Sequence, residues 1–362
     1  LCALGACSSK RDDDGRSGLG SGSGSGGPSV GLKPVVELRP RAVLVEGTRR
    51  IGVWAGDRDW YEADARGLAV QPLVGAAMLR TKAELGELVD IFLGASPILS
   101  GGAEHQEQVW RFSPTAKAVE LHGMLVQVAT AHSANAPIEL WRYEHELRTQ
   151  LATIDAAGVL TALPQLPRVG PPDPGRSPVS AKACAAPKVR DIAGIGDTIF
   201  ALVTECHSSA PVRIAAYRWP GPAVAITTLG TLAELDLQID RLVASRTGPI
   251  LVGRRGDVLA IVRIGPGGKL SSSVSLAGIE TVTHAAVADD GAVWTRSLGR
   301  GSDGRDHLVI ARDGKPVQIA NAAGTALRPE SVAFDEQLGI VVLALDGTSH
   351  WLLAERAPAE RA

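Results

Sequence analysis

From residue 34 onward, apolar residues come in short runs of about four to eight, rich in β-branched and aromatic side chains and divided by Gly, Pro, Asp and Ser. Runs of this length and makeup predict β-strands. The clearest are Thr198-Ile199-Phe200-Ala201-Leu202-Val203, Val212-Arg213-Ile214-Ala215-Ala216-Tyr217 and Ile340-Val341-Val342-Leu343-Ala344-Leu345. Long amphipathic helices are scarce. Residues 82–92 are the best helical candidate, and they fit a strand preceded by a turn equally well.

The strands repeat. An aromatic or branched residue, Arg and a second such residue precede a tight turn and another strand at Val109-Trp110-Arg111-Phe112, Leu140-Trp141-Arg142-Tyr143, Ala216-Tyr217-Arg218-Trp219, Ile261-Val262-Arg263-Ile264 and Val309-Ile310-Ala311-Arg312. A looser copy begins at Trp60-Tyr61, and a half copy, Trp351-Leu352-Leu353, lies near residue 362. Gly196-Asp197, Gly256-Asp257 and Asp290-Gly291 mark turns into short apolar strands, and Asp313-Gly314 is the strongest two-residue hairpin signal in the chain. Arg218, Arg263 and Arg312 are 45 and 49 positions apart, near the period of a four-stranded propeller blade. The earlier intervals are irregular: 31 from Arg111 to Arg142 and 76 from Arg142 to Arg218. Seven prolines between residues 164 and 187 mark the second interval as a long excursion on one face.

These hairpins resemble the blades of a β-propeller, so the expected fold class is all-β. Seven copies point to seven blades, with six the next count. Four-stranded sheets arranged radially cover one another's faces and leave only short outer edges exposed. The propeller is expected over residues 34–358, with the Pro-rich excursion at 162–188. Pro34-Val35-Val36-Glu37-Leu38 is a spare apolar strand, while the unit at 340–354 lacks an outer one. Pairing the two would close the ring and remove an exposed edge.

Residues 1–33 read differently. Leu4-Gly5-Ala6-Cys7 resembles the lipobox of bacterial lipoproteins, so residues 1–7 are expected to be the remnant of a signal peptide, with Cys7 as the lipid attachment site. Residues 8–33, with Gly20-Ser21-Gly22-Ser23-Gly24-Ser25-Gly26-Gly27, form an expected disordered, flexible tether. Ser8 after Cys7 is similar to the pattern of lipoproteins passed on to the outer membrane, which implies an envelope protein held to the membrane by its lipid. Cys184 and Cys206 then remain as a pair in the folded region and are expected to form a disulfide in an oxidising compartment. Neither belongs to a Cys-x-x-Cys motif, and His207 alone lies beside them, too few ligands for zinc.

Charge narrows the partners. With 37 basic and 39 acidic residues and a net charge of −2, the chain lacks the cationic excess that nucleic acid requires. Only 8 of the basic residues are Lys and only two residues, Asn135 and Asn321, are Asn, a skew that reads as genomic base composition. No apolar stretch reaches the eighteen residues of a membrane span.

Motifs for chemistry are few. No Gly-x-Ser-x-Gly elbow occurs outside the Gly-Ser tether, and Gly265-Pro266-Gly267-Gly268-Lys269 reads as a hairpin turn, not a phosphate loop. Arg255-Gly256-Asp257 reads as a turn as well. In Glu144-His145-Glu146 strand alternation puts the carboxylates on one face and the imidazole on the other. Residues 302–307 lack the oxygen series and closing Glu of a calcium loop. No catalytic residue, metal ligand or cofactor is therefore assigned. The expectation is a noncatalytic binding or scaffold protein whose loops meet envelope proteins or glycans. The alternative is a propeller hydrolase or lyase with its site in the central channel.

Overall fold

The computed structural model describes residues 32–38, 42–46, 51–55, 59–64, 67–72, 88–93, 97–103, 106–111, 118–121, 124–132, 137–145, 148–154, 160–167, 169, 187–205, 210–218, 223–300, 304–321, 323–335, 338–347 and 349–356. Strand β1 (Lys33–Leu38) is followed by a sheet of β2 (Ala42–Glu46), β3 (Ile51–Ala55), β4 (Asp59–Asp64) and β5 (Gly67–Pro72). The next sheet holds β6 (Leu88–Leu93), β7 (Pro97–Ala103), β8 (Gln106–Arg111) and β9 (Ala118–Leu121). After it come β10 (Met124–His132), β11 (Pro137–His145), β12 (Arg148–Ile154) and β13 (Leu160–Ala162). Then follow β14 (Lys188–Ile195), β15 (Thr198–Thr204), β16 (Pro211–Arg218) and β17 (Ala223–Thr231). A further sheet holds β18 (Gln238–Ser245), β19 (Gly248–Arg255), β20 (Val258–Ile264) and β21 (Leu270–Val274). Next are β22 (Ile279–Val287), β23 (Val293–Arg300), β24 (Asp306–Arg312) and β25 (Lys315–Val317). The final sheet contains β26 (Arg328–Asp335), β27 (Gly339–Asp346) and β28 (Ser349–Ala354), with β1 as its fourth strand.

Every pairing is antiparallel, and the first strand of each sheet lies beside the first strand of the next, round to β26 beside β2. This is the circuit of a β-propeller, with the first strands around its axis. The spare strand found in the sequence closes it: β1 pairs with β28, setting Pro34 opposite Leu353 and Leu38 opposite His350. The propeller includes Leu32 and Lys33, just before the expected residue 34: Leu32 is buried with Ile340, Val342 and Leu353, and Lys33 pairs with Ala354. Deleting residues 33–38 should therefore lower the melting temperature by at least 10 °C, since it leaves the edge of β28 unpaired and cuts Leu32 loose from its core, whereas deleting residues 8–27 should shift it by under 2 °C. Equal shifts in differential scanning calorimetry would contradict the closure.

Each core lies between two sheets. On β19, Ile250 and Val252 pack with Val282 and Val293 of the following sheet. Leu251 points the other way, towards Leu202 and Ile214 of the preceding one. Both faces of a sheet are thus covered, which is why its strands read as unbroken apolar runs instead of an in-out alternation. Trp294 and Ile310 continue the scheme against Val332 and Val342. A short helix α1 (Leu232–Leu235) turns the chain from β17 back to the axis. Its Thr231 hydroxyl accepts from the Glu234 amide, and the Glu234 carboxylate accepts from the Thr231 amide. At the Asp313-Gly314 hairpin both φ angles are positive, 45° and 74°, as the tight turn demands, and a Cβ on Gly314 would fall 1.5 Å from the Ser275 hydroxyl.

The irregular repeat intervals have a geometric cause. Arg111, Arg218, Arg263 and Arg312 all lie on the third strand of their sheets, but Arg142 lies on β11, a second strand. Aligning Arg142 with the others shortens one interval and lengthens the next; β12 is the true third strand there.

Candidate functional site at the ring axis

Near the start of the axial strands the pairing slips by one residue. The slip falls between Leu88 and Asp90, Leu125 and Gln127, Val189 and Asp191, Ile239 and Arg241, Ile279 and Thr281, and Pro329 and Ser331. Such a bulge twists the strand and re-aims the side chains around it. At three of these places the re-aimed side chain fastens one sheet to the next. Gln127 donates from Nε2 to the Ile192 carbonyl at 2.8 Å and accepts from the Ile192 amide at 3.1 Å. Asp191 accepts from the Leu242 amide at 2.7 Å through Oδ2 and from the Ile192 amide at 3.0 Å through Oδ1. Asp240 accepts from the Val282 amide at 2.9 Å, and Arg241 donates from Nε to the Thr283 carbonyl at 2.7 Å. Ile192, Leu242 and Val282 hold equivalent places, each next to the residue after the slip or one beyond it. Axial strands of different sheets form no ladder with one another, so these peptide groups would lack partners without the side chains.

Arginines reinforce the same seam. Arg142 donates to Gln127 Oε1 and to the Val189 carbonyl, both at 3.3 Å, and Arg254 pairs with Asp240 at 3.3 Å. None of these axial side chains was singled out in the sequence except Arg142, as part of the repeat. Their signal is a polar residue three or four places into a strand that turns apolar after it, as Asp191 in Lys188-Val189-Arg190-Asp191-Ile192.

Strand β22 carries a second slip, between Val282 and His284. It sets Thr283 against two guanidinium groups, because Arg296 donates from Nη1 to the Thr283 hydroxyl at 2.7 Å while Arg241 holds the Thr283 carbonyl. The hydroxyl donates to the Arg296 carbonyl at 3.0 Å and lies 3.2 Å from His284 Nδ1. His284 and Arg296 are cross-strand partners. Burial, then Arg241 and Arg296, push the His284 imidazole down to about 3, so it is neutral at ordinary pH. Burial also lowers the Arg296 guanidinium from its ordinary value; Glu330 opposes this and Arg328 adds to it.

A histidine with a depressed pKa binds its proton in the unfolded chain before the folded one. Its contribution is complete above about pH 6.5 and is lost as pH falls towards 3. At pH 5 the wild type should have lost up to about 2 kcal/mol relative to pH 7.5, a loss that His284→Asn should reduce. Urea unfolding at the two pH values checks this; an identical acid loss in the variant would refute the assignment.

Cys7, Cys184 and Cys206 lie outside the described residues, as does most of 162–188. The described part of that excursion is held by charge: beside position 206, Glu205 forms a buried 2.7 Å ion pair with Arg213. Arg213 also donates to the Pro167 carbonyl at 2.8 Å, and Glu205 accepts from the Val169 amide at 3.2 Å. Glu144 and His145 end β11, Asp306 and His307 open β24, and Gly256-Asp257 is the turn between β19 and β20. Among the described residues, no three His, Cys, Asp or Glu side chains converge as a metal site would require.

Comparison with known proteins concerns the fold alone. No family model and no curated protein matches the chain. Solved structures do. Virginiamycin B lyase from Staphylococcus aureus is similar at 11% identity and a TM-score of 0.47, over 88% of this chain and 94% of the lyase. BBS1N, solved in complex with ARL6DN, is similar at 12% identity and a TM-score of 0.47, over 92% of this chain and 99% of its own. A PQQ-bound aldose sugar dehydrogenase from Streptomyces coelicolor shares 12% identity at a TM-score of 0.38, over 78% of this chain and 95% of the enzyme. The three differ in what they do, and none of their activities is carried over to this chain.

Proposed function

We propose that the chain is a seven-bladed β-propeller of the bacterial cell envelope, anchored through a lipid on Cys7, that binds partners and catalyses no reaction. One observation carries the noncatalytic reading: Asp191 and Asp240, described carboxylates that bond across the seam, are committed to main-chain amides and to Arg254. A general acid or base must be free to exchange its proton with a substrate. His284 is neutral and faces Arg241 and Arg296, and among the described residues its ring meets the Thr283 hydroxyl and not a carboxylate. The envelope location rests on Leu4-Gly5-Ala6-Cys7, and a Cys184–Cys206 disulfide would suit that compartment.

Binding is assigned to loops on the rigid ring, foremost the Pro-rich excursion, whose prolines reduce the entropy lost on ordering. The partners proposed are envelope proteins or glycans. Crosslinking in the native envelope should capture discrete partners with the intact protein and lose them when residues 170–182 are replaced by a Gly-Ser linker, which spares the contacts at Pro167 and Val169. Unchanged partners would remove the excursion as the binding surface. Turnover of ester or glycan substrates by the purified protein would overturn the noncatalytic reading. End-on electron-microscopy averages should show seven lobes; six would correct the blade count.

A further inference from the structure

The second slip in β22 makes one stretch of the axis unlike the rest. Three successive axial strands meet there: β18 brings Arg241, β22 brings Thr283 and His284 with Arg296 across on β23, and β26 brings Arg328 and Glu330. Two guanidinium groups hydrogen-bond to the one residue Thr283. The carboxylates whose side chains are described on the adjoining strands each have a cation already, Asp240 with Arg254 at 3.3 Å and Glu330 with Arg328 at 3.3 Å. Among the described residues, neither Arg241 nor Arg296 has a carboxylate within ion-pair distance. Arg296 Nε is moreover buried without any hydrogen-bond partner.

Glu330, which Arg328 already engages, offsets the buried Arg296 charge only in part, and positive charge held away from bulk water with so little counter-charge is costly. A planar guanidinium with unused N–H groups is also the side chain best matched to the oxygen pairs of phosphate and carboxylate groups. We propose that this part of the axis binds a small dianionic oxyanion, a phosphate group or a dicarboxylate, between Arg241 and Arg296. Thr283 fixes both arginines, so the site is set before the ligand arrives. The neutral imidazole of His284 stands beside them as a polar wall and adds no third charge. Two convergent cations favour a dianion over chloride or acetate, which would leave one of them unmatched.

The proposal deepens the binding reading of the ring, and its failure would leave that reading standing. Isothermal calorimetry on the full chain at constant ionic strength should show saturable one-to-one binding of inorganic phosphate, of malonate, or of both, and none of acetate. The two arms tell a phosphate-type ligand from a dicarboxylate. Arg296→Gln should weaken binding at least tenfold. Arg241→Lys, which keeps the charge and removes the fork, should do likewise and serves if the first variant does not fold. The exposed Arg218→Gln should bind as the wild type does. No saturable binding of either dianion, or unchanged affinity in a folded Arg296→Gln or Arg241→Lys variant, would overturn the site. Substrate turnover would instead count against the noncatalytic reading, so the two failures are distinguishable.

Discussion

Glu205→Gln should destabilise the protein by about 3–5 kcal/mol, the largest single-residue effect expected among the described residues. Both side chains of the Glu205–Arg213 pair are 2% exposed, and their 2.7 Å contact joins the residue after β15 to β16. Removing the carboxylate charge leaves a guanidinium in the core whose Nε already has no partner. The bond to the Val169 amide weakens with it. Replacing both residues, as in Arg213→Met with Glu205→Leu, removes the charges together and should recover most of the loss, because a buried pair roughly balances its own desolvation. It should not restore the bonds to Pro167 and Val169, so the Pro-rich segment should become open to proteolysis in the double variant. Urea unfolding of the three proteins decides the matter. A Glu205→Gln variant within 1 kcal/mol of wild type would show that the pair is dispensable.

Asp191→Ala should cost about 2–4 kcal/mol, because it removes a buried acceptor of two main-chain N–H groups, those of Ile192 and Leu242. Gln127 still reaches the Ile192 amide, so the loss concentrates on Leu242. Asp197, on the exposed turn after β14, offers the contrast. Its carboxylate meets Arg218 only at 3.9 Å, with both side chains largely in water, and Asp197→Ala should stay within about 0.5 kcal/mol. Equal costs at the two aspartates would mean that the seam is not held by side chains.

The strands and turns were legible because they follow from local chemistry. Gly196-Asp197 and Asp313-Gly314 stand where the chain reverses, and the apolar runs at 198–203 and 340–345 became strands covered on both faces. Ring closure was legible too, from a spare strand at 34–38 and a missing outer strand in the unit at 340–354. The phase of the repeat was not, because a Trp-Arg-aromatic triplet suits any strand with two different faces and gives no sign of whether it is second or third in its sheet. The axial side chains were hidden for another reason. Asp191 looks in sequence like one solvent-facing residue in a strand; only the slip before it turns the carboxylate onto a neighbouring main chain. His284 and Arg296 likewise meet through register, and Arg241 reaches them from another sheet.

Amide hydrogen exchange tests most directly whether the axial carboxylates fasten the ring. In the wild type, the Leu242 amide should exchange only as slowly as the surrounding sheet opens, since its N–H is held by Asp191 and not by a strand partner. In a folded Asp191→Ala variant, that amide should exchange at least a hundredfold faster, while the amide of Val282, held by Asp240, keeps its protection. Unchanged protection at Leu242 in the variant would contradict the account.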